Sequence, residues 1–424
     1  MGIHQMKKTG FILSMLMAML WQTGITVGQT AKVKKALLVI VDGIPADVIE
    51  REDTPNIDAI AKSGGYTRAY MGGERAGYSQ TPTISAVCYT SMITGTWGNK
   101  HNVWGNDVSD PNYHYWTIFR HVKEQQPERK LGIYSTWLDN RTKILGEGKE
   151  ATNNLRLDYH YDGYELDTVR FPHDKMTTYI SKIDEEVTRA ASKSLRQEAP
   201  DLSWVYLQYT DNAGHIFGDA EGMYDAVRKA DRQVGDIYNA IKYREQYFNE
   251  DWMLVVLTDH GRDVATGLSH GGQSARERTI WIATNHKALN SHFYAHQPAI
   301  VDILPSVARH LGIEIPKHQA WELDGVPFVG AVSIADAKAK LVDETIEVEW
   351  TAFSKTGQVE LLITDTNKFK LAGPNQQDEY MSLGKFDVGK GAASVVLPKA
   401  LRGKKMYKVV FAAEHNALNR WISK

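Results

Sequence analysis

Ala36-Leu-Leu-Val-Ile-Val-Asp42-Gly43 is a run of six apolar residues ended by a carboxylate and a glycine. Such a run, with no polar residue at alternate positions, is what a β-strand buried on both faces requires. Leu131 to Trp137, Trp204 to Tyr209, Trp252 to Leu257 and Thr279 to Ala283 have the same character. Helical stretches separate them. In one, Val227, Ala230, Val234, Ile237 and Ile241 recur at helical spacing, while Arg228, Asp231, Arg232 and Lys242 fall on other faces. Strands alternating with helices over residues 35–330 predict an α/β domain with a mostly parallel sheet and helices on both faces.

After about Gly330 the pattern changes. Ile346-Glu-Val-Glu-Trp350 alternates apolar and charged residues, as a half-buried strand does. Gln358 to Ile363, Ala393 to Leu397 and Met406 to Phe411 follow, punctuated by Gly357, Gly384, Gly391 and Gly403. Residues 340–424 are therefore expected to form a small antiparallel β-sandwich module. No cluster of chemically active side chains stands out in it, so a structural or binding role is expected.

At the other end, Lys7 and Lys8 precede the apolar run Phe11 to Trp21, and Thr26-Val-Gly28 supplies small residues. This is the order of a secretory signal peptide, assigned to residues 1–28. The run is short for a membrane span, so an exported protein with no stable span after cleavage is expected, in the periplasm, at the cell surface or outside. Cys88 is the only cysteine, which excludes a disulfide within the chain. The formal net charge of −2 gives no reason to expect a nucleic-acid partner. The oligomeric state is not readable.

Three of the apolar runs lead into residues that bind metals. Val41 is followed by Asp42, Tyr209-Thr210 by Asp211-Asn-Ala-Gly-His215, and Leu257-Thr258 by Asp259-His260-Gly261; His270 follows in Leu268-Ser-His270-Gly-Gly272. In an open parallel sheet, ligands gather at the carboxyl ends of the strands. An Asp after a strand is ordinarily a turn residue, and a His before Gly likewise. Together, though, three carboxylates and three imidazoles suffice for two divalent cations, with zinc suited to the oxygen and nitrogen donors.

In Thr81-Pro-Thr-Ile-Ser85-Ala-Val-Cys88 the proline ends an extended stretch, and a helix is expected from Ala86 to Ile93, stopped by Gly95. Ser85 then sits at a helix N-terminus. That position suits a plain N-cap and equally a nucleophile beside backbone N–H groups that bind phosphate oxygens.

The order Asp42, Ser85 before a helix ending in Thr94-Gly95, Asp211-x-x-Gly-His215-x-x-Gly218, Asp259-His260-Gly261 and His270-Gly resembles the alkaline phosphatase superfamily, and within it the nucleotide pyrophosphatase/phosphodiesterase branch. The resemblance covers roughly residues 35–330. It implies that Asp42, Ser85, Asp259 and His260 hold one metal and that Asp211, His215 and His270 hold the other. It implies a nucleophilic Ser85 and a phosphoryl contact from Asn106, in His101-Asn-Val-Trp-Gly-Asn106. The small-molecule phosphoester implied is a nucleotide or similar compound. One departure is plain: that branch usually carries Thr at the nucleophile, and Ser85-Ala-Val-Cys88 is closer to the phosphomonoesterase pattern. Thr83 is the fallback nucleophile, at the wrong spacing to Gly95. The sulfatase pattern of Cys or Ser followed by x-Pro-x-Arg is absent at both Ser85 and Cys88. Three readings follow: a phosphodiesterase or nucleotide pyrophosphatase, an alkaline phosphomonoesterase on the same site, and a non-catalytic surface protein that binds metal for structure or adhesion.

Overall fold

In a computed structural model that describes Met1 and residues 31–371 and 376–423, the run Ala36–Val41 lies at the centre of the sheet. The expected export segment falls, beyond Met1, outside the described residues. Among the described residues no helix is long and apolar enough to cross a membrane.

Seven strands make the main sheet: β1 (Val33–Val41), β2 (Gly65–Tyr70), β3 (Leu131–Ser135), β4 (Tyr159–Tyr161), β5 (Leu202–Leu207), β6 (Glu250–Leu257) and β7 (Thr279–Thr284), in the order β2-β7-β6-β1-β5-β3-β4. From β6 to β4 all neighbours are parallel, and β7 and β2 pair antiparallel at one edge. The unalternating sequence of β1 now has its reason. Ala36, Leu38 and Ile40 enter one apolar core with the helices Ser85–Thr94 and Ile303–Leu311. Leu37, Val39 and Val41 enter the other, with the helices Thr178–Gln197 and Glu221–Tyr247. All six residues are fully buried, and each Leu, Val or Ile contributes about 1.5–3 kcal/mol by leaving water.

Two strands are shorter than their apolar sequence suggests. The run from Leu131 stops at Ser135, not Trp137, and the run at Trp204 stops at Leu207, because Tyr209–Phe217 turns into a helix. Strand β2 was not apparent in the sequence: Gly65-Tyr-Thr-Arg-Ala-Tyr70 has only Ala69 and the ends of its tyrosines to bury.

The C-terminal strands are β8 (Ile334–Val342), β9 (Thr345–Ala352), β10 (Gln358–Thr364), β11 (Met381–Asp387), β12 (Ala392–Val396), β13 (Met406–Ala412) and β14 (Ala417–Ser423). They form two antiparallel sheets, β11-β10-β13-β14 and β12-β9-β8. The two sheets share one core in which Ile346, Val348 and Trp350 meet Leu361, Val409 and Phe411. The alternation read in β9 is borne out, with Ile346, Val348 and Trp350 buried and Glu349 exposed.

Candidate active site

The residues expected to bind metal gather at the carboxyl edge of the parallel strands. Asp42 follows β1 directly, and Asp259 and His260 follow the adjacent β6. Gly43 has φ +67°, and its N–H donates to Asp259 Oδ1 at 3.0 Å. A Cβ there would stand 2.7 Å from Asp211 Oδ1. Only glycine, which lacks that atom and tolerates positive φ, lets the turn pass this close to the cluster.

Asp211 and His215 do not follow the strand end, as expected, but lie one turn apart in the helix Tyr209–Phe217. The i,i+4 spacing puts both on one face, with Asp211 Oδ2 3.3 Å from His215 Nε2. Gly214 between them makes room for a neighbour, since a Cβ would sit 2.2 Å from Arg262 Cζ. His270 comes from the loop after β6. Its Nδ1 lies 2.9 Å from the Thr83 carbonyl oxygen, and Thr83 Oγ1 donates to the Gly272 carbonyl and accepts from Gly271 N–H. Thr83, the fallback nucleophile, thus spends its hydroxyl on holding the His270 loop.

Ser85 is the first residue of the helix Ser85–Thr94, with Ile84 at the cap position, and it makes no capping hydrogen bond. Its Oγ lies instead 3.3 Å from His260 Nε2. Asn106 Oδ1 accepts the Ala86 N–H at 3.0 Å, which sets the amide beside Ser85. Gly95 ends the helix at φ +64°, as expected.

Two groups of three side chains result: Asp42, Asp259 and His260, all buried, and Asp211, His215 and His270, nearer the surface. The imidazoles are presented alike. Nδ1 of His215, His260 and His270 lies 2.8, 3.0 and 2.9 Å from the carbonyls of Leu268, Gly261 and Thr83. A carbonyl accepts only, so each Nδ1 carries the proton and each Nε2 presents a lone pair, the arrangement of metal-ligating histidines. His215 Nε2 and His270 Nε2 face one another at 3.1 Å, and the His260 ring stacks on that of His270 at 3.8 Å. Two lone pairs that close repel unless a cation lies between.

The carboxylates lead to the same conclusion. Asp42 Oδ2 accepts from Tyr89 and, at 2.6 Å, from Tyr206. Asp42 Oδ1 and Asp259 Oδ2 are buried and meet no hydrogen-bond donor among the described residues. Burial, and then the charge of Asp211, push the Asp42 carboxyl up to about 7. Burial followed by Asp42 raises Asp259 well above its ordinary value. Burial would also raise Asp211, but the neighbouring His215 and the Arg262 charge outweigh it and hold that carboxyl low. Burying an unpaired carboxylate is costly. Divalent cations on the free oxygens and Nε2 atoms would remove the cost, and the donor set fits them.

Arg262, Tyr89 and Tyr206 were missed in the sequence. The buried Arg262 guanidinium donates to the Gly43 carbonyl at 3.0 Å, to the Asp211 carbonyl at 2.7 Å and to the Asp211 carboxylate. It ties together three segments that carry candidate ligands. Its place three residues after Asp259, and that of Tyr89 one helical turn after Ser85, were the available signals.

A mostly parallel α/β sheet with paired carboxylate–imidazole clusters at its carboxyl edge, and a serine on a helix N-terminus facing them, defines an alkaline phosphatase-like chain. The type I phosphodiesterase / nucleotide pyrophosphatase family model matches residues 36–305, and the chain belongs to that family. Among curated relatives, mouse ectonucleotide pyrophosphatase/phosphodiesterase family member 7 is 23% identical over 303 residues, 68% of this chain and 60% of the relative. The venom phosphodiesterase of Naja atra is 25% identical over 236 residues, 54% of this chain and 26% of the relative. The chain thus spans less than two thirds of the length of these relatives. Among solved structures, murine ectonucleotide pyrophosphatase/phosphodiesterase 5 in complex with AMP is 14% identical, covering 67% of this chain and 96% of that one, with a TM-score of 0.47. The phosphonate monoester hydrolase of Agrobacterium radiobacter is 13% identical, covering 92% of this chain and 89% of that one, with a TM-score of 0.49.

Proposed function

We propose that this chain is an exported, metal-dependent phosphodiesterase or nucleotide pyrophosphatase with Ser85 as its nucleophile. The observation that carries the reading is the position of Ser85 Oγ, 3.3 Å from His260 Nε2, with the adjacent Ala86 N–H bound to Asn106. Ser85 is the first residue inside its helix, with Ile84 at the cap position, so its hydroxyl is not committed to capping.

Asp42, Ser85, Asp259 and His260 would hold one divalent cation, and Asp211, His215 and His270 a second, with zinc favoured by the donors. Bound there, such ions lower the pKa of the serine hydroxyl and offset phosphoryl charge. Ser85 Oγ releases its proton to solvent and attacks phosphorus in line, forming the serine–phosphorus bond as the bond to the leaving oxygen breaks. That oxygen keeps the electron pair and takes a proton from solvent. Water then displaces Ser85 Oγ, which recovers its proton, so the two displacements return the serine. Asn106 steadies a non-bridging oxygen with its side-chain N–H groups. A neutral amide suits a diester, which carries a single negative charge at phosphorus. Residues 35–330 would be the catalytic domain and residues 340–424 its accessory module. The alternative of a phosphomonoesterase is favoured by serine, rather than threonine, at position 85.

The test compares hydrolysis of bis-p-nitrophenyl phosphate and p-nitrophenyl phosphate by the zinc-loaded chain. Faster diester cleavage that vanishes in Ser85→Ala is expected. Faster monoester cleavage would transfer the chain to the alternative. No turnover of either ester, with metal bound, would refute the hydrolase reading.

A further inference from the structure

Apart from the site, the chain buries a second group of charges, where the C-terminal β-sheets meet the α/β layer. Lys100, on the short helix Gly98–His101, is fully buried. Its Nζ donates to the Glu322 carbonyl at 2.8 Å, to Asp324 Oδ1 at 2.7 Å and to Asn419 Oδ1 at 2.8 Å. Asn419, buried on β14, donates in turn from Nδ2 to the Leu323 carbonyl at 2.9 Å. Lys408 on β13, also fully buried, reaches the Glu322 carboxylate and Asp378 Oδ2. The strap Glu322–Asp324 is thus held from the module by Lys408 and Asn419, and both the strap and Asn419 grip Lys100.

From Lys100 the contacts run on toward Ser85. Asp324 N–H donates to the carbonyl of Gly95, which ends the Ser85 helix, and Asp324 Oδ2 accepts the Trp97 N–H at 3.0 Å. The next residue, His101, accepts the Val103 N–H on Nδ1 at 3.1 Å, so its Nε2 carries the proton and donates to Ser91 Oγ at 3.0 Å. Ser91 Oγ donates on to the Val87 carbonyl within the Ser85 helix. Val103 opens the loop that ends at Asn106, whose Oδ1 holds the Ala86 N–H. One short helix is therefore bound to the C-terminal module through Lys100 and to both the Ser85 helix and the Asn106 loop through His101.

We infer that Lys100 is a positioning residue through which the C-terminal β-module fixes the Ser85–Asn106 pair in its working geometry. Isolated buried charges destabilise a fold, so a lysine with no route to solvent is tolerated only when its neighbours complete its hydrogen bonds. Here the module side supplies one of the three acceptors, Asn419. A module lost or shifted would leave Lys100 short of a partner and free the segment Trp97–Asn106. The inference rests on the hydrolase reading for its kinetic readout but not for its structural one.

The experiment uses the full zinc-loaded chain. Asn419→Leu removes the module's hydrogen bond to Lys100 and keeps the Lys100–Asp324 pair, so it serves even where Lys100→Met fails to fold. Val348→Ala, in the core of the module and away from Lys100, serves as the control for lost stability alone. In Asn419→Leu, kcat for bis-p-nitrophenyl phosphate is expected to fall about tenfold or more with KM within about twofold, as loss of alignment produces. Metal content should hold, and amide hydrogen exchange should speed up over residues 97–106. Val348→Ala should lower Tm with kcat and that exchange unchanged. A lower Tm in Asn419→Leu without change in kcat or in exchange would overturn the inference, as would a fall in kcat that tracks lost metal. A wild type inactive on every ester would refute the hydrolase reading, and the exchange comparison would still decide whether the module holds the segment.

Discussion

Among the described residues, two of the groups of buried carboxylates differ in their neighbours. At the interface with the C-terminal module, Asp324 and Asp378 each meet a lysine of the chain itself, Lys100 and Lys408. At the carboxyl edge of the sheet, Asp42 and Asp259 keep oxygens with no donor among the described residues, and the His260 imidazole turns its lone pair toward them. The first arrangement is closed: its cations are part of the chain, and it holds segments in place without a bound ion. The second is open, and its donors would fit ions from solution. The contrast separates a structural charge cluster from a candidate reactive one without reference to any relative.

The largest expected effect lies on the open side. Ser85→Ala should lower kcat on the order of 10⁴-fold or more, as removal of a nucleophile does, with bound zinc still measured by atomic emission. Near-normal turnover would break the comparison. Removal of metal by a chelator should lower Tm, by about 4 kcal/mol of stability where free metal stood a thousandfold above its Kd. Re-addition of zinc should restore it in calorimetry, and a Tm indifferent to chelation would mean that the open cluster needs no ion. Lys408→Met should cost about 3–5 kcal/mol in denaturant unfolding, the usual consequence of stranding a buried partner, with zinc content unchanged. Loss of zinc in that variant would merge the two clusters into one. Arg262→Gln sharpens the contrast from the metal side, with an expected loss of about 10–100-fold in affinity at the Asp211 cluster, readable by competition with a zinc chelator. The smallest effect is expected for Gly214→Ala, about 1–3 kcal/mol of crowding against Arg262, detectable in the unfolding midpoint.

The open cluster was largely legible in the sequence because each ligand lies within a few residues of a recognisable strand or helix end. Asp42 and Asp259-His260 needed only the apolar runs before them. The helix under Asp211 was missed because Tyr209-Thr210 prolongs an apolar pattern, although the i,i+4 spacing to His215 was itself a helical signal. Arg262 escaped because its partners, Gly43 and Asp211, are remote in sequence and one contact is a backbone carbonyl. The closed cluster was not legible at all. Lys100 and Lys408 look like solvated lysines until the fold brings Glu322, Asp324 and Asp378 to them. On β14, Ala417-Leu-Asn-Arg-Trp-Ile-Ser423, Asn419 falls on the face opposite the module-core residues Leu418 and Ile422, and its buried amide serves Lys100 there. A pattern reading takes such a polar residue for a solvated one, and here it is the contact.

The central place of β1 also has a consequence for biosynthesis. Its partners are β5 and β6, with Leu38 opposite both Trp204 and Val255. The first of the described strands to leave the ribosome is therefore among the last to be sealed, since neither flank can form until some 170 to 220 further residues have been made. Until then Ala36–Val41 is an uncovered, β-prone apolar hexapeptide, the kind of segment that aggregates when non-local pairing is slow. The sequence that organises the finished sheet is thus the one a nascent-chain chaperone would have most reason to hold.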